Sequence, residues 1–203
     1  MRGKKIAVSG TGVIDDLLLR EFLSAHGLER DITILSMGSA ETRLAGLATG
    51  TIDAATLIAP MTLKAKDMGM KELVFFGEQN FLLPGGAILA REDLLKTDPN
   101  TVERFIRASL MGFRFLRENA VAAPKAIART LRVDEALGAR MYEATRPTMT
   151  AGADLSEDAQ RKMIALVMKL AGVKDGPPIE RLFDFSLLRK SHATLQTRGW
   201  KPS

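Results

Sequence analysis

Apolar and polar positions follow two different periods along the first 60 residues of the chain. Short apolar runs at 6–8 and 32–35 are typical of strands, whereas the apolar positions after each run recur at helical spacing. The pattern predicts three strands separated by two helices, with the third strand over 51–58. This order is typical of a parallel α/β unit, and right-handed crossovers would place all three turns at one edge of the sheet.

The first turn is built from four small residues, Ser9, Gly10, Thr11 and Gly12. Glycines let a backbone approach a ligand closely, and the first amides of a helix have no partner within the helix. Crevices at the carboxyl ends of parallel strands are the usual ligand sites of open sheets. The simpler alternative is that Ser9 or Thr11 only caps the following helix. The sequence leaves both interpretations open.

The pattern changes after residue 60. It predicts a short helix over 61–68, a fourth strand over 72–77 and a further strand over 87–90. A polar and then Pro/Gly-rich segment at 78–86 is typical of a linker or hinge. The sequence therefore predicts an α/β region at 1–86 and a helix-rich region at 87–203.

The first long helix of the later region is predicted to open at Asp98-Pro99 and to carry an apolar stripe. The stripe consists of Val102, Phe105, Ile106, Leu110, Phe113 and Leu116. Residues 89–203 contain 20 Lys and Arg against 14 Asp and Glu, so the basic excess lies in this region. Because no aromatic interleaving or nucleic-acid motif accompanies these charges, they indicate a solvated helix face.

Several kinds of chemistry are disfavoured by the residues present. The chain has no cysteine, which excludes disulfides and thiolate metal sites, and its two histidines, His26 and His192, are far apart. No G-x-S-x-G elbow, Walker A sequence or H-E-x-x-H helix is present. We therefore expect no metal, no cofactor and no catalytic residue.

Asp15 and Asp16 bear on the nucleotide alternative. Asp15 stands where a dinucleotide fingerprint needs its third glycine, and no acidic residue ends the second strand. A carboxylate there would also repel pyrophosphate. On a helix the two side chains diverge by about 100°, so we expect them to complement the helix dipole without forming an acid/base pair.

The ordered series of segments resembles the solute-binding proteins of ABC importers of the nitrate, sulfonate and taurine type, a group that includes thiamine-precursor binders. The resemblance covers nearly the whole chain. Its strongest element is 48–54, ATGTIDA, which is similar to a helix–glycine–strand element of that family. The resemblance implies a type II periplasmic binding fold, in which two α/β lobes joined by a hinge close over a small solute.

By position, the resemblance implies a ligand site in the α/β region, which would be the second lobe. Its residues would be Ser9, Gly10, Thr11, Gly12, Ser39, Thr56, Ala59 and Pro60. Residues 87–203 would then complete the first lobe. The resemblance further implies an ABC permease as partner, a periplasmic location and binding without catalysis. The solute would be small and organic or anionic, although Asp15 and Asp16 keep neutral and zwitterionic solutes equally open.

Members of this family begin with an export signal and a stretch that builds most of the first lobe. This chain opens on the strand of the second lobe, so we expect a truncated form, and a cytoplasmic location stays open. Each apolar side chain of the exposed stripe would forgo about 1.5–3 kcal/mol of burial, which predicts self-association through 87–203. Two alternatives remain, namely a nucleotide-binding α/β enzyme and an oligomerising remnant that binds no ligand.

Overall fold

A computed structural model describes residues 3–79, 87–149 and 154–201. The chain forms two compact units. Unit 1 consists of Met1–Gly85 and Met163–Asp175, and unit 2 consists of Gly86–Lys162 and Gly176–Ser203. The assignment of residues 1–86 and 87–203 to the two lobes of the family stays a prediction.

Unit 1 alternates strands and helices along the chain. Its elements are β1 (Lys4–Val8), α1 (Ile14–Ala25), β2 (Ile32–Ser36), α2 (Ala40–Ala48), β3 (Ala54–Ala55), α3 (Met61–Asp67) and a 3₁₀ turn (Phe76–Glu78). The first four elements follow the predicted order. The α/β fold class with a parallel sheet is confirmed.

The three strands form one parallel sheet in the order β2-β1-β3. Lys4 pairs with Ile32 at one end of β1, and Ile6 pairs with Ala54 on its other side. β2 therefore lies on one side of β1, and the chain crosses back so that β3 lies on the other side. This reversal creates a topological switch point between β1 and β3, where open α/β sheets hold their ligands.

The core of unit 1 lies between the sheet and α1. Ile6 and Val8 of the central strand and Leu19 and Leu23 of α1 are all buried in one cluster. Because β1 is covered by strands on both sides and by α1 on one face, its carboxyl end is held in a fixed place. That rigidity positions the bend that follows Val8.

Three predicted strands differ from the structure. The strand predicted over 51–58 is reduced to Ala54–Ala55. The strand predictions for 72–77 and 87–90 are wrong, because these residues form irregular chain and a 3₁₀ turn. Backbone groups must find hydrogen-bond partners, and a short apolar run does not show whether a neighbouring strand edge exists. Most of the predicted hinge, 80–86, lies outside the described residues.

The helices of the chain after residue 90 belong to unit 2, except that the helix over Glu157–Ala171 contributes residues to both units. The helices after residue 90 are α4 (Glu92–Thr97), α5 (Pro99–Glu118), α6 (Ala122–Leu131), α7 (Glu135–Thr145), α8 (Glu157–Ala171), α9 (Ile179–Leu182) and α10 (Ser186–Thr197), with a 3₁₀ turn at Arg146–Thr148. Among the described residues, no helix is both long and apolar enough to cross a bilayer.

The apolar stripe of α5 is partly covered within unit 2. Leu110 is buried in a cluster with Leu188 and Leu195 of α10, and Val102 is also buried. Phe105 remains 56% exposed. The expectation that the stripe lacks a surface to pack on is therefore wrong for its buried members. Self-association through 87–203 stays a prediction, and the apolar surface of the stripe that is exposed to drive it is smaller than expected.

Candidate functional site

The bend after β1 and the end of β3 lie side by side at the switch point of unit 1. Ser9 directly follows β1, and Thr56 directly follows β3. The Thr56 amide donates to the Ala7 carbonyl oxygen of β1 over 3.0 Å. The structure therefore brings two of the predicted site residues together at the carboxyl edge of the sheet.

Asp15 of α1 joins these two strand ends. Its carboxylate turns back from the first turn of the helix and accepts hydrogen bonds from the Ser9 amide (2.8 Å) and the Ser9 hydroxyl (2.6 Å). It also accepts from the Thr56 hydroxyl over 2.6 Å. One carboxylate thus bridges the crevice between β1 and β3. These three bonds leave about one of the four acceptor positions of a carboxylate open.

The charge of Asp15 is stabilised by its surroundings. Partial burial raises the pKa of this carboxyl, but hydrogen bonds from Ser9 and Thr56 and the nearby Arg43 charge outweigh burial, so the pKa is lowered. Asp15 is therefore ionised at neutral pH. The crevice presents a half-buried negative charge that is held in one orientation.

Arg43 of α2 supplies a positive charge near this carboxylate and is only 5% exposed. Its Nε donates to the Thr56 carbonyl oxygen over 2.9 Å, and its guanidinium also donates to the Gly38 carbonyl oxygen. A buried guanidinium needs such acceptors and a counter-charge, which Asp15 supplies. The sequence pattern did not single out Arg43. The available signal was its place four residues before Leu47, on the face of α2 that was predicted to meet the sheet.

Asp16 fixes the far end of the bend. Its side chain is almost fully buried and accepts from the Gly12 amide and from the Arg20 Nε, each over 2.8 Å. Gly12 has a φ of 75°, a conformation that glycine adopts without strain. Asp16, in the first turn of α1, therefore stabilises the bend through its bond to the Gly12 amide. The helix-dipole interpretation did not include this role.

The interpretation of Ser9 or Thr11 as the cap of α1 is wrong. The N-cap residue is Val13, and it makes no side-chain capping bond. The prediction had a side chain of the bend accepting from a helix amide. In the structure, carboxylates of the first helical turn accept hydrogen bonds from the bend. Thr11 and Gly12 are exposed, and Ser9 and Gly10 are half-buried, so the bend is open to solvent on one side.

Ser39 occupies the corresponding bend after the edge strand β2. Its hydroxyl accepts from the Thr42 amide over 3.2 Å and caps α2 in the usual way. The Gly38 amide donates to the Ser9 carbonyl oxygen over 3.1 Å, so the two bends are adjacent. Among the described residues, Ser39 makes no hydrogen bond to Asp15.

Ala59 and Pro60 lie between Thr56 and α3 and are half-buried. Pro60 is the N-cap residue of α3, and its carbonyl oxygen accepts from the Lys64 amide over 3.1 Å. In the part of the chain that the structure describes, neither residue bonds to Ser9, Asp15 or Thr56. The ligand roles of Ala59, Pro60 and the other predicted site residues stay predictions.

A separate cavity of about 500 Å³ opens on unit 1. Apolar side chains form most of its wall, and Thr56 is the residue that it shares with the crevice. Its other wall residues include Ile6, Phe22, Ile32, Ala54, Met70 and Phe76. Across the described residues, no group of three or more His, Asp or Glu is arranged to hold a metal ion.

Comparison with known sequences decides the family. Residues 1–123 match the NMT1/THI5-like family over more than half of the chain. The chain belongs to the NMT1/THI5-like family. Proteins of Brucella abortus and Brucella melitensis, each named as a binding protein, are 30% identical over 142 residues. The match covers 67% of this chain but 43% of each relative, so the chain spans less than half the length of these relatives.

Solved structures show the same fold. A protein of Methylobacillus flagellatus, named as a periplasmic sulfonate-binding protein of an ABC transporter, superposes with a TM-score of 0.71 at 19% identity. The superposition covers all of this chain and 63% of that protein. A Bordetella bronchiseptica protein gives a TM-score of 0.65 at 18% identity over 96% of this chain and 65% of its own. The predicted family resemblance and fold class are confirmed.

Proposed function

We propose that this chain is a solute-binding component of an ABC-type importer and holds a small organic solute in the crevice between β1 and β3. The observation that carries the proposal is the Asp15 carboxylate, which bridges Ser9 and Thr56 at the switch point. Family membership supports the class of function. A periplasmic location and an ABC permease as partner belong to the same proposal.

The geometry of the crevice favours binding over catalysis. A general base works best when its pKa lies near the operating pH. Hydrogen bonds from Ser9 and Thr56 lower the pKa of Asp15, so this carboxylate is a weak base at neutral pH. A fixed acceptor of this kind orients a ligand, and the proposed solute leaves the site chemically unchanged.

The nucleotide alternative is less well supported by the same contacts. A phosphate at the end of a parallel strand binds through free backbone amides at the start of the next helix. Here the Ser9 amide already donates to Asp15, and the Gly12 amide donates to Asp16. A phosphate that used these two amides would have to displace both carboxylates and approach their charges.

A panel of solutes tests the proposal. We would record the melting temperature of the protein with taurine, nitrate, amino acids, a methylaminopyrimidine, NAD and ATP, and measure the heat of binding for each solute that raises it. We expect saturable 1:1 binding of one small solute, which is recovered intact after incubation. Binding of NAD or ATP alone, or chemical conversion of the bound solute, would overturn the proposal.

A matched pair of variants locates the site. Thr56→Val removes the hydroxyl that bonds to Asp15, and Thr51→Val makes the same change in the exposed segment before β3. We expect the first variant to bind the solute at least tenfold more weakly and the second to bind it as the wild type does. Equal affinities for the two variants would place the site outside the crevice.

A further inference from the structure

We infer that Asp15 sets the charge preference of the crevice, which selects a solute that presents an ammonium or another N–H donor and rejects a sulfonate or sulfate at this position. The inference rests on the proposed function and specifies the class of solute. It concerns the group of the solute that enters between β1 and β3, and it leaves the rest of the solute open.

The donors that surround Asp15 are already in use. The amide and hydroxyl of Ser9 and the hydroxyl of Thr56 all donate to Asp15. The Gly12 amide donates to Asp16, which is itself buried and paired with Arg20. An anion that took over these donors would break these bonds, leave the Asp15 carboxylate without its partners and lie close to two negative charges, which is costly for charged groups removed from solvent.

The positive charge of the site is not available to a ligand. Arg43 is buried, and its guanidinium donates to the carbonyl oxygens of Thr56 and Gly38. Asp15, in contrast, is half-buried. The charge that the crevice turns toward solvent is therefore negative, and the hydrogen bonds from Ser9 and Thr56 hold that carboxylate in place.

An N–H donor fits the acceptor capacity that remains. A carboxylate offers about four acceptor positions, and Asp15 uses three of them within the chain. A single ammonium or amine group satisfies the fourth without displacing any internal bond. Charge-assisted bonds of this kind are about twice as strong as neutral ones.

Two ions of matched size test the preference directly. Ethylammonium and ethanesulfonate would be titrated into the ¹⁵N-labelled wild-type protein while the amide resonances of Ser9 and Thr56 are followed. We expect ethylammonium to shift both resonances saturably and ethanesulfonate to act at least tenfold more weakly. An equal or stronger response to ethanesulfonate, or no response to either ion, would overturn the inference.

Asp15→Asn supplies the second arm, because it keeps the shape of the side chain and removes its charge. We expect the ratio of the affinity for ethylammonium to the affinity for ethanesulfonate to fall at least tenfold in this variant. Asp53→Asn is the control, since it removes one negative charge at an exposed site where Asp53 bonds to Lys4 and the Lys5 amide. A preference changed equally by both variants would reduce the effect to net charge and contradict the inference.

The wild-type titration stands even if Asp15→Asn does not fold. The solute panel described above separates the two proposals. A solute that binds saturably without shifting Ser9 or Thr56 would leave the solute-binding function in place and reject the role of Asp15. Failure of every solute in the panel would reject the function itself, whatever the two ions do.

Discussion

The bends after β1 and β2 have similar residues and different roles. Each follows a parallel strand, contains a serine and a glycine, and leads into a helix at the same edge of the sheet. After β2, the Ser39 hydroxyl caps α2. After β1, Ser9 gives both of its donors to Asp15, which also accepts from Thr56 of the neighbouring strand end.

The position of each strand in the sheet explains this difference. β2 is an edge strand, so the bend after it has one neighbouring strand end, and its serine caps the helix that follows. β1 is central, and the chain order reverses between it and β3. A side chain at the start of α1 can therefore contact two strand ends at once. The residue types alone do not distinguish the two bends, and their different contacts follow from the topology of the sheet.

Removal of the bridging carboxylate should have the largest effect on stability. Asp15→Ala leaves the donors of Ser9 and Thr56 without an acceptor and Arg43 without its counter-charge, so we expect a loss of about 2–3 kcal/mol in the free energy of unfolding. Urea denaturation followed by circular dichroism measures it. A loss no greater than that of Ser39→Ala would make the two bends equivalent.

The hydroxyl on the β3 side should have the next largest effect. Thr56→Val keeps the shape of the side chain and removes one hydrogen bond to an ionised group, for which we expect a loss of about 1.5 kcal/mol. Thr51→Val, at an exposed position, should change stability by less than about 0.5 kcal/mol. The same urea titrations compare the pair, and equal losses would contradict the bridge between the strand ends.

The cap of α2 should have a smaller effect. Ser39→Ala removes the bond to the Thr42 amide at an exposed helix start, and we expect a loss of about 1 kcal/mol. Because the cap acts within its own helix, solute affinity should stay within twofold of the wild type. A larger fall in affinity, measured by calorimetry, would show that Ser39 takes part in solute binding.

The pH dependence should be the smallest effect and distinguishes charge from shape. The lowered pKa of Asp15 means that its stabilisation is fully present above the ordinary value of 3.8 and is lost as the pH falls through the lower folded-state value. The stability difference between wild type and Asp15→Asn should therefore be constant near neutral pH and shrink below 3.8. Thr51→Val, which alters no titratable contact, should show a difference that does not depend on pH.

Periodicity predicted the first four elements of unit 1 because each of them has a local signal. The apolar run that contains Ile6 and the helical spacing that follows it indicated the type and order of β1 and α1, and Ile6 and Leu19 are both buried. The strands predicted over 72–77 and 87–90 failed because pairing depends on a partner edge elsewhere in the chain. Apolar content alone does not supply that information.

The candidate site was predicted in part. The small residues of the bend and Thr56 were identified, and the structure places Ser9 and Thr56 on the same carboxylate. The direction of the Asp15 side chain was not predictable, since it depends on a contact with Thr56, 41 residues away in sequence. Arg43 escaped notice because a charge on an apolar helix face becomes informative only when its acceptors are known.

Hydrogen–deuterium exchange with and without the tightest-binding solute of the panel tests the central claim most directly. The claim is that the crevice between β1 and β3, and not the neighbouring bend, holds the solute. It predicts slower exchange at residues 9–16 and 54–57 and unchanged exchange at 37–42. Protection confined to 37–42 or to unit 2, with none at Ser9 and Thr56, would contradict it.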